Sequence, residues 1–241
     1  MKNLILSLGV VSCFLFTACE TESTGDVSEV TNFAVFNIKG SSVILVEKGS
    51  NYEDPGADAA ESGVPVNVET TSNGIFRGGT LDVNVEDNYS ISYSAVNKDG
   101  FEASGSRNVI VAETGNLVDN IAGLYRSTVV RNGVVDEDYE NMEYVIIWKN
   151  DDGSFTMSDG IGGYYMYGRA YGSAYAASGA KVTVNGLNDY TFGPNFAVGA
   201  FGGIAMITEM TVDPTAKTIN FKTDWDAGPY VFDVTLEQVQ L

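Results

Sequence analysis

The chain has 241 residues, of which 32 are acidic, 13 are basic and none is histidine. Its net charge of -19 would repel a phosphate backbone, so we do not expect nucleic acid as a partner. Without histidine, the chain cannot form a Ser-His-Asp or Cys-His nucleophile system or hold zinc through imidazole. The content of 44% hydrophobic and 19% charged residues is typical of a globular protein.

Residues 1–18 predict a secretory signal. One lysine precedes the apolar stretch from Leu4 to Phe16, which is shorter than the roughly 20 residues that span a bilayer as a helix. The end of this stretch, Leu15-Phe16-Thr17-Ala18-Cys19, resembles the bacterial lipobox. We therefore expect cleavage after Ala18 and attachment of lipid to Cys19. An ordinary signal that happens to contain a cysteine is the alternative.

Residues 19–33 predict an acidic, flexible tether. The stretch from Glu20 to Glu29 is polar and has no hydrophobic period. Acidic residues directly after a lipidated cysteine resemble the surface-export signals of Bacteroidetes lipoproteins. The resemblance implies a protein that is lipid-anchored to the outer membrane and faces the exterior.

Residues 34–114 predict an antiparallel β-sandwich, because apolar residues recur at every second position. The clearest case is Tyr89 to Ala95, where serines alternate with Tyr, Ile, Tyr and Ala. Leu81 to Val85 and Val64 to Val68 repeat the pattern. Asn97 to Gly100 predicts a tight turn before a closing strand at Asn108 to Ala112.

The same segment resembles the bacterial surface Ig-like domain that is related to the repeat of Cry22-type pesticidal proteins. Asn88 stands where that family usually has glycine. The resemblance implies a spacer or platform more often than a catalyst. Asp54-Pro55-Gly56 predicts a turn, with half a calcium site as the alternative. The residues that carry the resemblance are Gly49, Tyr52, Asp54-Pro55-Gly56-Ala57, Tyr89, Tyr93, Asp99-Gly100, Arg107, Val109 and Val111.

Residues 115–241 predict a second, mostly antiparallel β domain, either barrel-like or a sandwich. Beyond Gly115 the composition shifts towards glycine and aromatic residues. The predicted strands are Gly123 to Arg131, Tyr144 to Lys149, Ser154 to Ser158, Tyr164 to Ala170, Ala180 to Val184, Asp189 to Phe192, Ala205 to Val212, Thr218 to Lys222 and Tyr230 to Leu236.

The segment from Ser158 to Tyr175 predicts a binding surface. If it continues as one strand, a row of tyrosines lies on one face, and small residues lie on the other. Tyrosines offer flat apolar area with polar tips, which suits the C–H faces and hydroxyls of a sugar. Asp224-Trp225-Asp226 has the form of an aromatic platform bordered by acceptors. The candidate ligand-binding residues are Tyr165, Tyr167, Arg169, Tyr171, Tyr175, Asp224, Trp225 and Asp226.

An alternative is that these aromatic side chains form the core. The solvent exposure of Tyr165, Tyr167 and Trp225 distinguishes the two interpretations.

The second domain also resembles the C-terminal domain that follows Ig-like modules in Bacteroidetes lipoproteins. The overall layout loosely resembles the SusE and SusF group of glycan-binding lipoproteins, without a residue-by-residue match. The residues that carry the C-terminal resemblance are Gly123, Tyr125, Asp159-Gly160, Gly162-Gly163-Tyr164-Tyr165, Tyr171-Gly172 and Tyr175.

We predict no catalytic residue, no cofactor and no metal site. A glycosidase needs two carboxylates, and no pair stands out among the 32 acids. The five acids between Asp136 and Glu143 predict a solvated loop. Neither this run nor Asp151-Asp152 has the oxygen spacing of an EF-hand loop, and no glycine loop with lysine predicts phosphate binding.

The leading hypothesis is a non-catalytic surface lipoprotein, not an enzyme, that binds a glycan or related surface ligand in nutrient capture. An outer-membrane transport complex is a candidate partner. The alternative is an adhesin or structural spacer with protein partners. A polysaccharide-acting enzyme is the third hypothesis.

Overall fold

The computed structural model describes residues 31–241, which form two β modules. The predicted signal, Cys19 and most of the predicted tether lie outside the described residues. Within the described part, no helix has both the length and the apolar character needed to cross a bilayer. The strands are β1 Val35–Ile38, β2 Val43–Glu47, β3 Ala57–Glu61, β4 Val64–Val66, β5 Glu69–Gly74, β6 Asp87–Val96, β7 Glu102–Ala112, β8 Gly123–Arg131, β9 Met142–Lys149, β10 Phe155–Met157, β11 Ala180–Gly186, β12 Asp189–Phe192, β13 Phe196–Val198, β14 Gly202–Asp213, β15 Thr218–Trp225 and β16 Tyr230–Val239.

The first module is a sandwich of a three-stranded sheet, in the order β1-β3-β4, and a four-stranded sheet, in the order β2-β7-β6-β5. The predicted alternation in β6 is confirmed, because Tyr89, Ile91, Tyr93 and Ala95 are all buried. The predicted turn at residues 97–100 is also present, with the Gly100 amide donating to the Asn97 carbonyl. One pairing differs from the prediction, since β2 and β7 run parallel.

The prediction of a strand from Leu81 to Val85 is wrong, because these residues form a turn before β6. Leu81 and Val83 nevertheless pack against the core of the first module. Their alternation therefore reflects burial, which an irregular segment can satisfy as well as a strand.

The Asp54-Pro55-Gly56 segment is a turn that supports the core. The Asp54 carboxylate accepts hydrogen bonds from the Tyr52 hydroxyl at 3.0 Å, the Tyr93 hydroxyl at 2.6 Å and the Gly56 amide at 3.2 Å. It also lies 3.4 Å from Nε of the fully buried Arg107. These contacts occupy the oxygens that a calcium ion would need.

The second module is one curled, antiparallel nine-stranded sheet in the order β12-β11-β10-β9-β8-β16-β15-β14-β13. The Val212 amide in β14 donates a 2.6 Å hydrogen bond to the Asn188 side chain in the β11–β12 turn. This bond brings one side of the sheet towards the other, so the concave face encloses a single large core. The all-β prediction is confirmed for both modules.

The two modules contact each other where β7 ends. The guanidinium carbon of Arg77 in the first module lies 5.6 Å from the ring centroid of Trp148 in the second module. A shared buried cluster joins the modules through Ile110, Ala112, Leu124, Tyr144, Ile146 and Trp148.

The pairing of β8 with β16 determines which end of the second sheet is far from the first module. Val239, which packs against the shared cluster, pairs with Leu124, and Phe232 pairs with Arg131. The strand β16 therefore starts at the end of the sheet that points away from the first module. We call this end, which holds Arg131, Trp225 and Tyr230, the far end.

Candidate functional site

The segment that predicted a row of tyrosines does not form a strand. Tyr164–Gly168 is a π-helical turn, and Ser173–Tyr175 is a single 3-10 turn. Gly162 and Gly163 precede the π-helical turn with φ angles of 69° and 77°, which break the extended backbone. The prediction of a strand from Tyr164 to Ala170 is wrong, and the two-residue parity that would place the tyrosines on one face does not apply.

Close packing explains why glycine is needed before the π-helical turn. A Cβ at Gly162 would lie 2.6 Å from the Ser127 hydroxyl and 2.7 Å from methyl groups of Val129 and Val234. Such distances are well inside van der Waals contact. The segment therefore enters the concave face of the sheet and fills it with aromatic side chains.

Asp159 fixes the start of this segment. The carboxylate is fully buried and accepts hydrogen bonds from the amides of Ile161 at 2.9 Å and Ala177 at 3.2 Å. Burial raises the pKa of this carboxyl to about 6, although these amide hydrogen bonds lower it in part. The side chain ties both ends of residues 159–177 together, so its role is structural.

Tyr165 is the centre of an aromatic cluster at the far end. Its ring centroid lies 4.8 Å from Phe201, 6.0 Å from Trp225, 6.1 Å from Tyr171 and 6.4 Å from Phe232. Tyr165 and Trp225 are only 7% and 6% exposed. These two candidates are therefore core residues and do not present their rings to a ligand, because neighbouring aromatic rings cover them.

Three aromatic side chains form the outer layer of the cluster, and we call them the aromatic rim: Tyr171, Tyr175 and Phe201. Tyr171 is 50% exposed and Phe201 is 46% exposed, whereas Tyr175 is half-buried. The centroid distances are 5.2 Å for Tyr171–Tyr175, 4.9 Å for Tyr175–Phe201 and 6.2 Å for Tyr171–Phe201. The rim is thus a continuous apolar surface with two phenolic hydroxyl groups.

The inner layer holds the rim in place. The Tyr171 ring lies nearly parallel to the Tyr165 ring, at an interplanar angle of 14°. Phe201 also contacts Trp225, at 6.1 Å. Because both exposed rings pack on buried rings, they lose little conformational freedom when a ligand binds.

The remaining candidates do not join the rim. Tyr167 is half-buried, and its side chain lies near Tyr144 and near Asn88 of the first module, on the side of the second module that faces the first. Arg169 is exposed and lies over the rings of Tyr139 and Tyr164, at 5.7 and 5.9 Å. The π-helical turn rotates these side chains away from Tyr165 and Tyr171.

The two aspartates beside Trp225 are exposed, as a row of acceptors requires, but they have different surroundings. Asp226 Oδ1 accepts a 2.7 Å hydrogen bond from the Ile204 amide and so fixes the start of β14 behind Phe201. Asp224 lies on the convex face of the sheet, opposite Trp225. The hydrogen bond places Asp226 beside Ile204, three positions along the chain from the rim residue Phe201.

The phenols of Tyr139, Tyr165 and Tyr167 keep their protons at physiological pH. Burial raises the pKa of Tyr165, although the nearby Arg131 guanidinium opposes this shift. Burial also raises the pKa of Tyr167 and of Tyr139 to about 12. These three hydroxyl groups can therefore donate and accept hydrogen bonds but do not act as bases.

Several cluster residues were not among the sequence candidates. Arg131 lies between the rings of Tyr164 and Tyr230, at 5.0 and 4.8 Å. Phe201 follows Gly199-Ala200 and precedes Gly202-Gly203, and an aromatic residue between glycines was the only sequence signal for it. Tyr230 was also not a candidate. It pairs with Trp225 across the β15–β16 turn, and the turn-forming residues from Asp226 to Pro229 could have suggested this pairing.

The acidic run starts as an exposed loop at residues 136–141, as predicted, except that Tyr139 is buried, and its last two residues, Met142 and Glu143, belong to β9. Its Glu137–Tyr139 segment is a 3-10 turn in which the Asp136 side chain accepts from the Asp138 amide. Glu143 forms a 2.6 Å ion pair with Arg126. Among residues 31–241, no three carboxylate or cysteine side chains converge in a way that could hold a metal ion.

Comparison with known proteins finds two families along the chain. The family described as bacterial surface protein, Ig-like domain, matches residues 36–111. A family defined as a C-terminal domain matches residues 114–238, which is more than half of the chain. A comparison with curated proteins finds no match.

A solved structure gives the same assignment over both modules. It is the crystal structure of the lipoprotein BT2262 from Bacteroides thetaiotaomicron, with 27% sequence identity and a TM-score of 0.65. The match covers 86% of this chain and 100% of that chain. The chain belongs to the family of BT2262-like surface lipoproteins. This BT2262-like protein thus has the Ig-like module and the C-terminal domain that the sequence resemblance implied, and both comparisons agree with a location at the cell surface.

Proposed function

We propose that this BT2262-like protein is a non-catalytic lipoprotein that is anchored through Cys19 in the outer membrane, faces the exterior and binds a glycan through the aromatic rim. The observation that supports glycan binding is the exposure of Tyr171 and Phe201 on top of a buried aromatic layer. Exposed rings held rigidly from below are the arrangement onto which the C–H face of a sugar stacks.

The position of the rim suits capture from the medium. The rim lies at the far end of the second sheet, where β16 starts, and the chain enters the first module at residue 31. The anchor at Cys19 would lie before the Ig-like module in the chain, and the rim lies at the end of the second module that points away from the Ig-like module. A captured glycan would then be accessible to an outer-membrane transport complex beside the protein.

The surroundings of the buried carboxylates support a binding role over catalysis. Within the described residues, four acidic side chains are buried, and each has a structural partner. Glu61 accepts from the Lys98 amide, and Glu86 pairs with Lys48 at 2.6 Å. Asp87 accepts from the amides of Phe76 and Arg77, and Asp159 accepts from Ile161 and Ala177. A glycosidase acid would instead face an open cleft.

Removal of single rings from the rim tests the proposal. Tyr171→Ala and Phe201→Ala should each weaken binding about five- to tenfold, since one stacked ring contributes about 1 to 1.5 kcal/mol. The measurement is a glycan array followed by affinity electrophoresis in polysaccharide gels, with the mature chain in detergent. Phe101→Ala is the matched control, because Phe101 is 51% exposed but lies in the first module.

Two results would contradict the proposal in different ways. Unchanged retention of the Tyr171→Ala/Phe201→Ala double variant would show that glycan binds elsewhere. Failure of the unaltered chain to bind any glycan would refute glycan binding itself.

The second candidate function is an adhesin or structural spacer with protein partners. The burial of Tyr165 and Trp225 favours it, because a spacer needs these aromatic residues only as core. This function predicts binding to a purified surface protein that excess polysaccharide does not inhibit. Inhibition by polysaccharide would instead support the glycan-binding rim.

A further inference from the structure

Five large apolar side chains are exposed at one end of the Ig-like module, and we call this surface the apolar end. The exposed fractions range from 51% to 73% for Phe33, Val35, Val64, Val96 and Phe101. Exposed apolar residues that cluster in this way are typical of an interaction surface.

The fold brings these residues together from three segments. The Phe33 and Phe101 rings are in edge contact at 5.9 Å, and the Asn97 side chain donates to the Asn32 carbonyl at 2.8 Å. Val64 and Val96 line one hollow of about 530 Å³. The segment before β1, the β3–β4 turn and the β6–β7 turn therefore form one continuous surface.

The apolar end is opposite the second module. Strand β6 ends at Val96 and β7 ends at Ala112, which belongs to the cluster shared between the modules. Strand β7 has 11 residues, so it separates the two ends of the first module by about 35 Å. The second module does not cover the apolar end.

The chain reaches the apolar end directly from the predicted anchor. Cys19 and Thr31 are 12 positions apart, and 12 residues span at most about 40 Å. Lipid on Cys19 would therefore keep the apolar end within about 40 Å of the bilayer.

We propose that the apolar end contacts the lipid bilayer and sets the orientation of the module on the membrane. The proposal rests on the lipid anchor of the proposed function but not on glycan binding. The contact is shallow, because the exposed charges of Lys98, Asp99 and Glu102 border the patch and stay in water. The valines and phenylalanines enter the headgroup boundary.

A fluorophore on a new cysteine tests this contact in the full acylated protein. The expected processing removes Cys13 and acylates Cys19, so a new cysteine is the only thiol available for labelling. Val64→Cys reports the apolar end, and Val135→Cys is the matched control in the second module, with 69% exposure against 66% for Val64. Each labelled protein is reconstituted in vesicles of phosphatidylethanolamine and phosphatidylglycerol, with and without brominated acyl chains.

We expect the emission of the label at position 64 to shift to shorter wavelength and to be quenched by brominated lipid. The label at position 135 should show neither change. If the protein floats with the vesicles but the two labels are quenched equally, or neither is quenched, the bilayer contact is refuted and the anchor is not. Protein that does not float overturns the anchor and the contact together. If the label at position 64 shifts to shorter wavelength without vesicles, and only at high protein concentration, the apolar end binds a second copy of the chain. That result would overturn the bilayer contact.

Discussion

Replacement of Asp159 by asparagine should remove a specific part of the pH dependence of stability. In the folded protein, burial raises the pKa of this carboxyl to about 6, compared with 3.8 for an exposed aspartate. Between these two values, the folded state therefore binds more protons than the unfolded state. The free energy of unfolding consequently falls as pH rises through this window.

The size of the effect follows from the difference between the two pKa values. A difference of about two units corresponds to about 3 kcal/mol, of which about 2 kcal/mol is lost between pH 4.5 and pH 7. Asp159→Asn cannot ionise and should lack this term. Its amide oxygen can still accept from one backbone amide, but its NH2 group faces another donor, which costs about 1 to 3 kcal/mol at every pH.

The assay is urea unfolding followed by tryptophan fluorescence at pH 4.5 and pH 7. Asp151→Asn is the control, because it removes the same charge from an exposed turn of the same module. Relative to this control, Asp159→Asn should be more destabilising at pH 4.5 than at pH 7 by about 2 kcal/mol. Equal pH dependence of the two variants would refute the conclusion that the buried carboxyl holds a proton in the folded state.

Two further substitutions, one in each module, test how the side chains of that module pack. Gly162→Ala should destabilise the second module by about 2 to 4 kcal/mol, because the new methyl group overlaps three side chains. Gly153→Ala is the control, since Gly153 has a similar positive φ but open space around its Cα, and this substitution should cost about 1 kcal/mol. Equal changes in thermal midpoint would contradict this steric explanation. Arg107→Met should destabilise the first module by about 3 kcal/mol, because it removes the ion pair with Asp54 and the guanidinium hydrogen bonds to the carbonyls of Lys39 and Gly56. Lys39→Met, at an exposed ion pair, should change the free energy of unfolding in urea by less than about 1 kcal/mol. A similar loss in both variants would argue against a special role for the buried guanidinium.

The sequence by itself determined the strands whose side chains alternate between core and solvent. Tyr89 to Ala95 is the clearest example, because burial of one strand face imposes a period of two that can be recognised locally. The boundaries of β8 and β12 also agree with the prediction, since turn-forming residues border both strands. The same reasoning was wrong for Leu81 to Val85, where an irregular segment buries alternate residues.

Only the tertiary structure decided where the aromatic residues from Tyr164 to Tyr175 lie. The glycines at 162 and 163 adopt left-handed backbone conformations, which leave no periodic pattern in the neighbouring side chains. The aromatic rim also needs Phe201, which is 26 positions beyond Tyr175 and contacts it because the sheet curls. Such contacts depend on how distant strands pair, and the hydrophobic period of one segment contains no information about them.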